Sequence, residues 1–136
     1  MITEDYCSFE VSKLLKQKGF VNDWCIKYYE IPIHDYGSHP LKDSDSLPRN
    51  YNFGDFYCSA PTLQMAMKWL REVHNLHIDV FIGITENDSY TYWTYFIVDL
   101  KGNMIVNAYG EDINFKGESC EQTIEAAIKY CLITLI

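Results

Sequence analysis

The chain predicts one α+β domain over residues 1–136, built as an antiparallel sheet of about four strands flanked by three helices in the order α-β-α-β-β-β-α. Three observations predict it. Apolar stripes of helical period with matching end signals occur at three separated places, and runs rich in β-branched and aromatic residues lie between them. With 136 residues, 48% of them hydrophobic and 15% aromatic, the chain can bury a core without disulfide or metal staples.

The first helix is expected from about residue 4 to 18. Thr3 is placed as its cap, Glu4 and Asp5 complement the positive end, Lys13, Lys16 and Lys18 the negative end, and Gly19 closes it. Cys7, Val11, Leu14 and Leu15 form its apolar stripe. The first strand is expected over Trp24–Ile31, an aromatic and branched run that stops at Pro32. Residues 34 to 57 hold Pro40, Pro48, Gly37 and Gly54 among Ser, Asp and Asn, which is loop chemistry. A loop that long inside a compact domain is uncommon and marks the first place to look for function.

The segment Ser59–Asn75 predicts a helix with Ser59 as cap, Pro61 in the first turn and Asn75 at the exit. Leu63, Met65, Ala66, Met67, Trp69, Leu70 and Val73 fill an arc of roughly 200°, wider than the ~100° stripe that docks a surface helix. Met65 and Trp69 therefore need a second neighbour, from the same chain or from a partner. Next, His77–Ile84, Tyr90–Leu100 and Met104–Tyr109 read as an antiparallel meander, turned by Thr85–Ser89 and by Lys101-Gly102-Asn103. Both faces of the middle strand are apolar or aromatic. The last helix starts at Ser119, with Gln122 completing a capping box, and Leu132-Ile133-Thr134-Leu135-Ile136 closes the chain with an apolar turn that must be covered by the fold or by a partner.

Charge and composition exclude several classes. Eleven Lys and Arg against 19 Asp and Glu leave a net charge of -8, which repels phosphate, so neither nucleic acid nor an anionic membrane is expected as partner. No run reaches the ~18 apolar residues of a spanning helix, and the acidic start does not read as a signal peptide, so a cytoplasmic setting is expected. Cys7, Cys25, Cys58, Cys120 and Cys131 form no C-x-x-C pair and are expected as reduced, mostly buried thiols.

Three blocks, Ile2–Phe20, Ala60–Asn75 and Glu125–Leu132, resemble in the same order a family of short uncharacterised proteins of gut-bacterial genomes and their phage-like mobile elements. The resemblance covers roughly a third of the chain. It implies a bacterial or prophage accessory protein of the cytoplasm and supplies no catalytic residue. The sequence departs from the family in its middle strands and at Ile133 and Thr134.

Candidate sites follow from chemistry alone. Cys58 at a helix N-terminus would be a nucleophile of lowered pKa. His74 and His77 lie about 24 Å away along the same helix, so the base would be His34 or His39 from the long loop, oriented by Asp35 or Asp43. His34, Asp35 and His39 match no regular zinc spacing, and Asp43-Ser44-Asp45-Ser46 fails as a calcium loop at Leu47 and Pro48. His74 reads as an end-of-helix histidine, and Glu86 with Asp88 or Glu111 with Asp112 as solvated turn acids. No cofactor or metal is therefore expected. The preferred reading is a non-catalytic protein-interaction or self-associating accessory module, a possible homo-oligomer through Met65, Trp69, Leu132, Ile133 and Ile136. The alternative is a small cysteine hydrolase on Cys58, His34 and His39.

Overall fold

The computed structural model describes residues 2–34, 37–45, 47–84, 91–106 and 115–136. Among these residues it is α+β, with three α-helices and two three-stranded antiparallel sheets. The chain forms two compact units, Met1–Met65 and Ala66–Ile136.

In the first unit, helix α1 spans Phe9–Gln17, with Ser8 as cap accepting from the Val11 amide at 3.2 Å. It starts later than residue 4 because the preceding backbone is used elsewhere. Cys7 N donates to Pro61 O at 2.9 Å and Leu63 N donates to Asp5 O at 3.0 Å, which holds residues 5–7 extended and leaves Thr3 outside the helix. Gly19 ends α1 as expected. At φ 88° it donates to Lys16 O at 3.1 Å while Phe20 N donates to Leu15 O at 2.9 Å, a Schellman closure.

Strands β1 (Lys27–Glu30), β2 (Lys42–Asp43) and β3 (Tyr57–Ser59) form a sheet in the order β2-β1-β3, all antiparallel. This corrects the four-stranded sheet. The strand expected over Trp24–Ile31 does not join the later meander; it is the centre of a separate sheet whose outer strands are β2, inside the segment read as loop, and β3, which begins at that segment's last residue. Tyr29, Cys58 and Ala60 form the core here, with Phe9 and Ile31 against it. The Tyr29 hydroxyl donates to Cys7 O at 2.8 Å, so its buried polar atom is satisfied.

Helix α2 spans Leu63–His74. Its cap is Thr62, whose Oγ1 accepts from Met65 N at 3.1 Å, and Pro61 lies before the first turn. Ser59 is instead buried in β3, where its Oγ accepts from Tyr51 N at 2.8 Å. Asn75 makes the exit at φ 57°, the left-handed conformation that asparagine tolerates well. Leu63, Ala66 and Leu70 are buried, but Val73 is 57% exposed, so the apolar arc is not wholly covered.

The second unit carries three strands of the expected meander; the expected turn Thr85–Ser89, Tyr90 and residues 107–109 of the third strand lie outside the described residues. Strands β4 (Leu76–Ile84), β5 (Thr91–Asp99) and β6 (Met104–Val106) run antiparallel in that order. Leu76, Ile78, Tyr95 and Ile97 are buried on one sheet face. Helix α3 (Cys120–Tyr130) packs on β4 and β5 and buries Thr123, Ile124, Ala127 and Ile128. Ser119 Oγ accepts from Gln122 N at 3.1 Å, and Gln122 Oε1 accepts from Glu118 N at 2.8 Å, so the capping box reaches one residue further back than in its usual form. The chain closes in a π-helical turn, Cys131–Leu135. At Gly83 the Tyr92 side chain lies across the backbone, and a Cβ there would meet its ring at 2.5 Å unless that side chain moved. Among the described residues no helix is long and apolar enough to cross a membrane.

Candidate functional site

A recess of about 450 Å³ opens between β1 and the segment 34–57 that the sequence marks out. Tyr28, Tyr51, Tyr57 and Phe53 supply rings, Arg49 a guanidinium, Asp45 a carboxylate and Asn50 an amide. Tyr28 comes from the central strand β1 and Tyr57 from β3, so one wall is regular sheet.

The other wall is loop, fixed by side chains that bond to backbone. Asn52 accepts from Ser59 N at 2.9 Å through Oδ1 and donates to Phe20 O at 2.7 Å through Nδ2. Arg49 N donates to Cys25 O at 3.0 Å, and Asn50 Oδ1 accepts from Asn52 N at 3.0 Å. The Tyr51 hydroxyl donates to Ser44 Oγ at 2.6 Å. Lys16 reaches across from α1 to Tyr57 O at 2.7 Å and also donates to Gly54 O. Asparagine, serine and lysine side chains thus do here what strand ladders do elsewhere.

Ring geometry sets the chemistry. Tyr28 stacks on Tyr51 with centroids 4.3 Å apart and planes 11° apart, and Tyr57 meets Tyr28 edge-on at 5.7 Å. The Arg49 guanidinium lies over the Tyr51 ring at 4.9 Å, and the Tyr51 hydroxyl strengthens its hold on its proton. Tyr51 is buried, whereas Phe53 is 76% and Tyr57 43% exposed. A buried aromatic base therefore carries an exposed aromatic rim, one guanidinium and the Asp45 carboxylate.

The residues of the alternative, cysteine-hydrolase reading are placed differently from what it needs. Cys58 lies inside β3, paired with Tyr29, and helix α2 begins only at Leu63, so the thiol is not at a helix N-terminus. It is 0% exposed, and burial pushes its pKa up to about 11, although Lys16 and Lys13 pull it down. A nucleophile needs the opposite shift and access. His39 stacks on Phe9 with centroids 3.8 Å apart, and His34 is exposed. Asp35, the acid pair Glu86 and Asp88, and the pair Glu111 and Asp112 lie outside the described residues. All five cysteines are free thiols, and the described residues contain no group of three or more His, Cys, Asp or Glu able to hold a metal.

The expected interaction residues divide. Met65 lines a second, apolar recess of about 140 Å³ with Tyr6, Trp24, Ile26 and Pro61, and Asn22 Nδ2 donates to its sulfur. Trp69 is half-buried and meets His74 edge-on at 4.7 Å. Leu132 is buried within the fold, Ile133 is 59% exposed, and Ile136 is half-buried, its amide donating to Cys131 O at 3.1 Å. The recess at Tyr28, Arg49 and Tyr51 was missed as a constellation; the signal was the string Arg49-Asn50-Tyr51-Asn52-Phe53, which mixes a guanidinium, rings and backbone-bonding amides.

No family model matches the chain, and neither does any curated protein or solved structure.

Proposed function

We propose that the protein is a non-catalytic protein-interaction module, of the bacterial or prophage accessory kind that its resemblance implies, and that the aromatic recess is its docking surface. The reading is carried by one observation: exposed Phe53 and Tyr57 flank a guanidinium set over a buried tyrosine. Tyrosine and arginine dominate the energetics of protein interfaces, because rings give large contact area at small entropy cost and arginine binds carboxylates in a bidentate fork. The partner segment this suits is extended, with an acidic side chain for Arg49 beside an apolar one for Phe53.

Panning a displayed random-peptide library against the immobilised protein tests this. Enriched peptides should pair Asp or Glu with a neighbouring large apolar residue. Their affinity should fall roughly thirtyfold or more for Phe53→Ala with Arg49→Ala, the size of a loss of about 2 kcal/mol at a hot spot. Peptides that bind the folded double variant as tightly as wild type would end the proposal.

A further inference from the structure

Strand β4 has a strand neighbour on one side only. Its nine residues pair with β5 in unbroken register from Leu76↔Asp99 to Ile84↔Thr91, and among the described residues no strand joins its outer edge. Protein edges are normally blunted by lysine, proline, a bulge or shortness. Here the strand Leu-His-Ile-Asp-Val-Phe-Ile-Gly-Ile has no lysine, arginine or proline, and its pairing has no bulge. Asp79 is its one acidic residue, and Ile82 and Ile84 stand 54% and 64% exposed.

We propose that this edge is where two copies of the chain join, their β4 strands antiparallel about a two-fold axis at Val80, so that two three-stranded sheets become one of six strands. The geometry selects a second copy because the strand is self-complementary, and one register alone pairs all nine of its residues. Leu76, Ile78, Val80, Ile82 and Ile84 share the face on which α3 packs, with Ile78 and Leu76 buried and Ile82 and Ile84 open. An axis at Val80 pairs all nine residues. It sets exposed Ile82 beside Ile78 of the second copy and exposed Ile84 beside its Leu76, so each buried half continues into an open half.

Other registers do worse. Moving the axis to Asp79 opposes two carboxylates directly, which is destabilising in a sheet. An axis at Ile78 drives the far end of the second strand past Leu76 into the end of α2 at His74. An axis between residues would put the α3-bearing face of one copy beside the opposite face of the other and break the apolar layer. The surface differs from Met65, Trp69 and the C-terminal residues expected from sequence, and it is independent of the aromatic recess.

Light scattering on the purified chain should give twice the chain mass, 2 × 15.9 = 31.8 kDa. Ile82→Lys, and separately Ile84→Lys, place a charge at an exposed position of the edge and should give folded monomers with unchanged near-UV circular dichroism. In a Cys120→Ser background, oxidised Val80→Cys should cross-link to itself, because facing residues of an antiparallel pair lie about 4.5–5.5 Å apart, within disulfide reach. Ile133→Cys, also exposed, is the control. A monomeric wild type, a dimer unchanged by both lysine variants, or cross-linking no better at position 80 than at 133 would each overturn the proposal. Phe53→Ala with Arg49→Ala should leave the mass at 31.8 kDa, which separates failure here from failure of the docking reading.

Discussion

The two units hold their strands together by different means. In Ala66–Ile136 the order comes from backbone: β4 and β5 pair over nine residues each, and α3 lies along them with a regular buried stripe. In Met1–Met65 the strands are four, two and three residues long, side chains of Asn52, Ser59 and Lys16 bond the backbone that the ladders leave over, and the Tyr51 hydroxyl ties to Ser44 Oγ. The candidate site sits in the second kind of construction. A long ladder presents a repeating surface, whereas short strands beside a loop pinned by side chains can hold an arginine, three tyrosines and a phenylalanine in one non-repeating arrangement.

That contrast is broken or sharpened by mutation. The largest effect is expected in the ladder unit, for Ile97→Ala, because Ile97 is 0% exposed at the middle of β5 with strands on both sides. Its loss should cost about 2–5 kcal/mol in urea unfolding, the range for emptying a well-packed core site. In the loop unit the corresponding variant is Asn52→Leu. It keeps the volume but strips a partner from Ser59 N and from Phe20 O, and should cost about 2 kcal/mol. A change below about 0.5 kcal/mol would mean that those bonds do not order the segment, and the contrast between the units would fail. If Asn52→Leu equalled or exceeded Ile97→Ala, the loop web would be as central as the ladder.

What the sequence disclosed follows the same division. The strand signals of β4 and β5, the turn at Lys101-Gly102-Asn103, the Ser119 cap and the closure at Gly19 are all local: each depends on residues a few positions apart, and each stands among the described residues. Strands β2 and β3 were illegible because two or three residues cannot display an alternation of period two. The cap of α2 was misplaced for a related reason. Ser59 and Thr62 are both good caps, and the choice went to Thr62 because Ser59 is bound to Tyr51, a contact set by the fold and not by neighbours in sequence. The recess was legible only as an unusual string near Arg49; its assembly needs Tyr28, from a strand more than twenty residues earlier.

Thiol labelling sharpens the contrast at a smaller scale. Cys120 is half-buried at the start of α3, whereas Cys58 and Cys131 are 0% exposed, and burial pushes Cys131 up to about 12. In the folded protein near neutral pH, a disulfide reagent should modify Cys120 first. Cys58 should react only at the rate of unfolding, as free thiols do when buried and protonated. Rapid labelling of Cys58 would show that the first unit opens locally while the second stays closed, and it would return the cysteine-hydrolase reading to consideration. In the folded state the raised Cys58 pKa favours the neutral thiol. Its contribution is therefore complete below about 9 and is lost as pH rises through about 11.

The smallest effect belongs to the turn that joins β5 to β6. The Asp99 carboxylate accepts from Asn103 Nδ2 at 2.9 Å, from Asn103 N at 2.9 Å and from Lys101 N at 2.8 Å, and these bonds, the Asn103 side chain foremost, hold its pKa below the usual 3.8. The folded state thus prefers the ionised form, so the stabilisation is present above the ordinary carboxylate range and is lost as pH falls through the lowered value. Asp99→Asn should flatten the acid limb of the urea midpoint against pH and leave the alkaline limb unchanged. Because the carboxylate is exposed, solvent screens it and the change should be slight. An unaltered acid limb would show that the register of β5 and β6 is fixed by the ladder alone, without help from its turn. Regular pairing would then suffice throughout the second unit, and the difference from the first would be greater than the side-chain bonds of this one turn suggest.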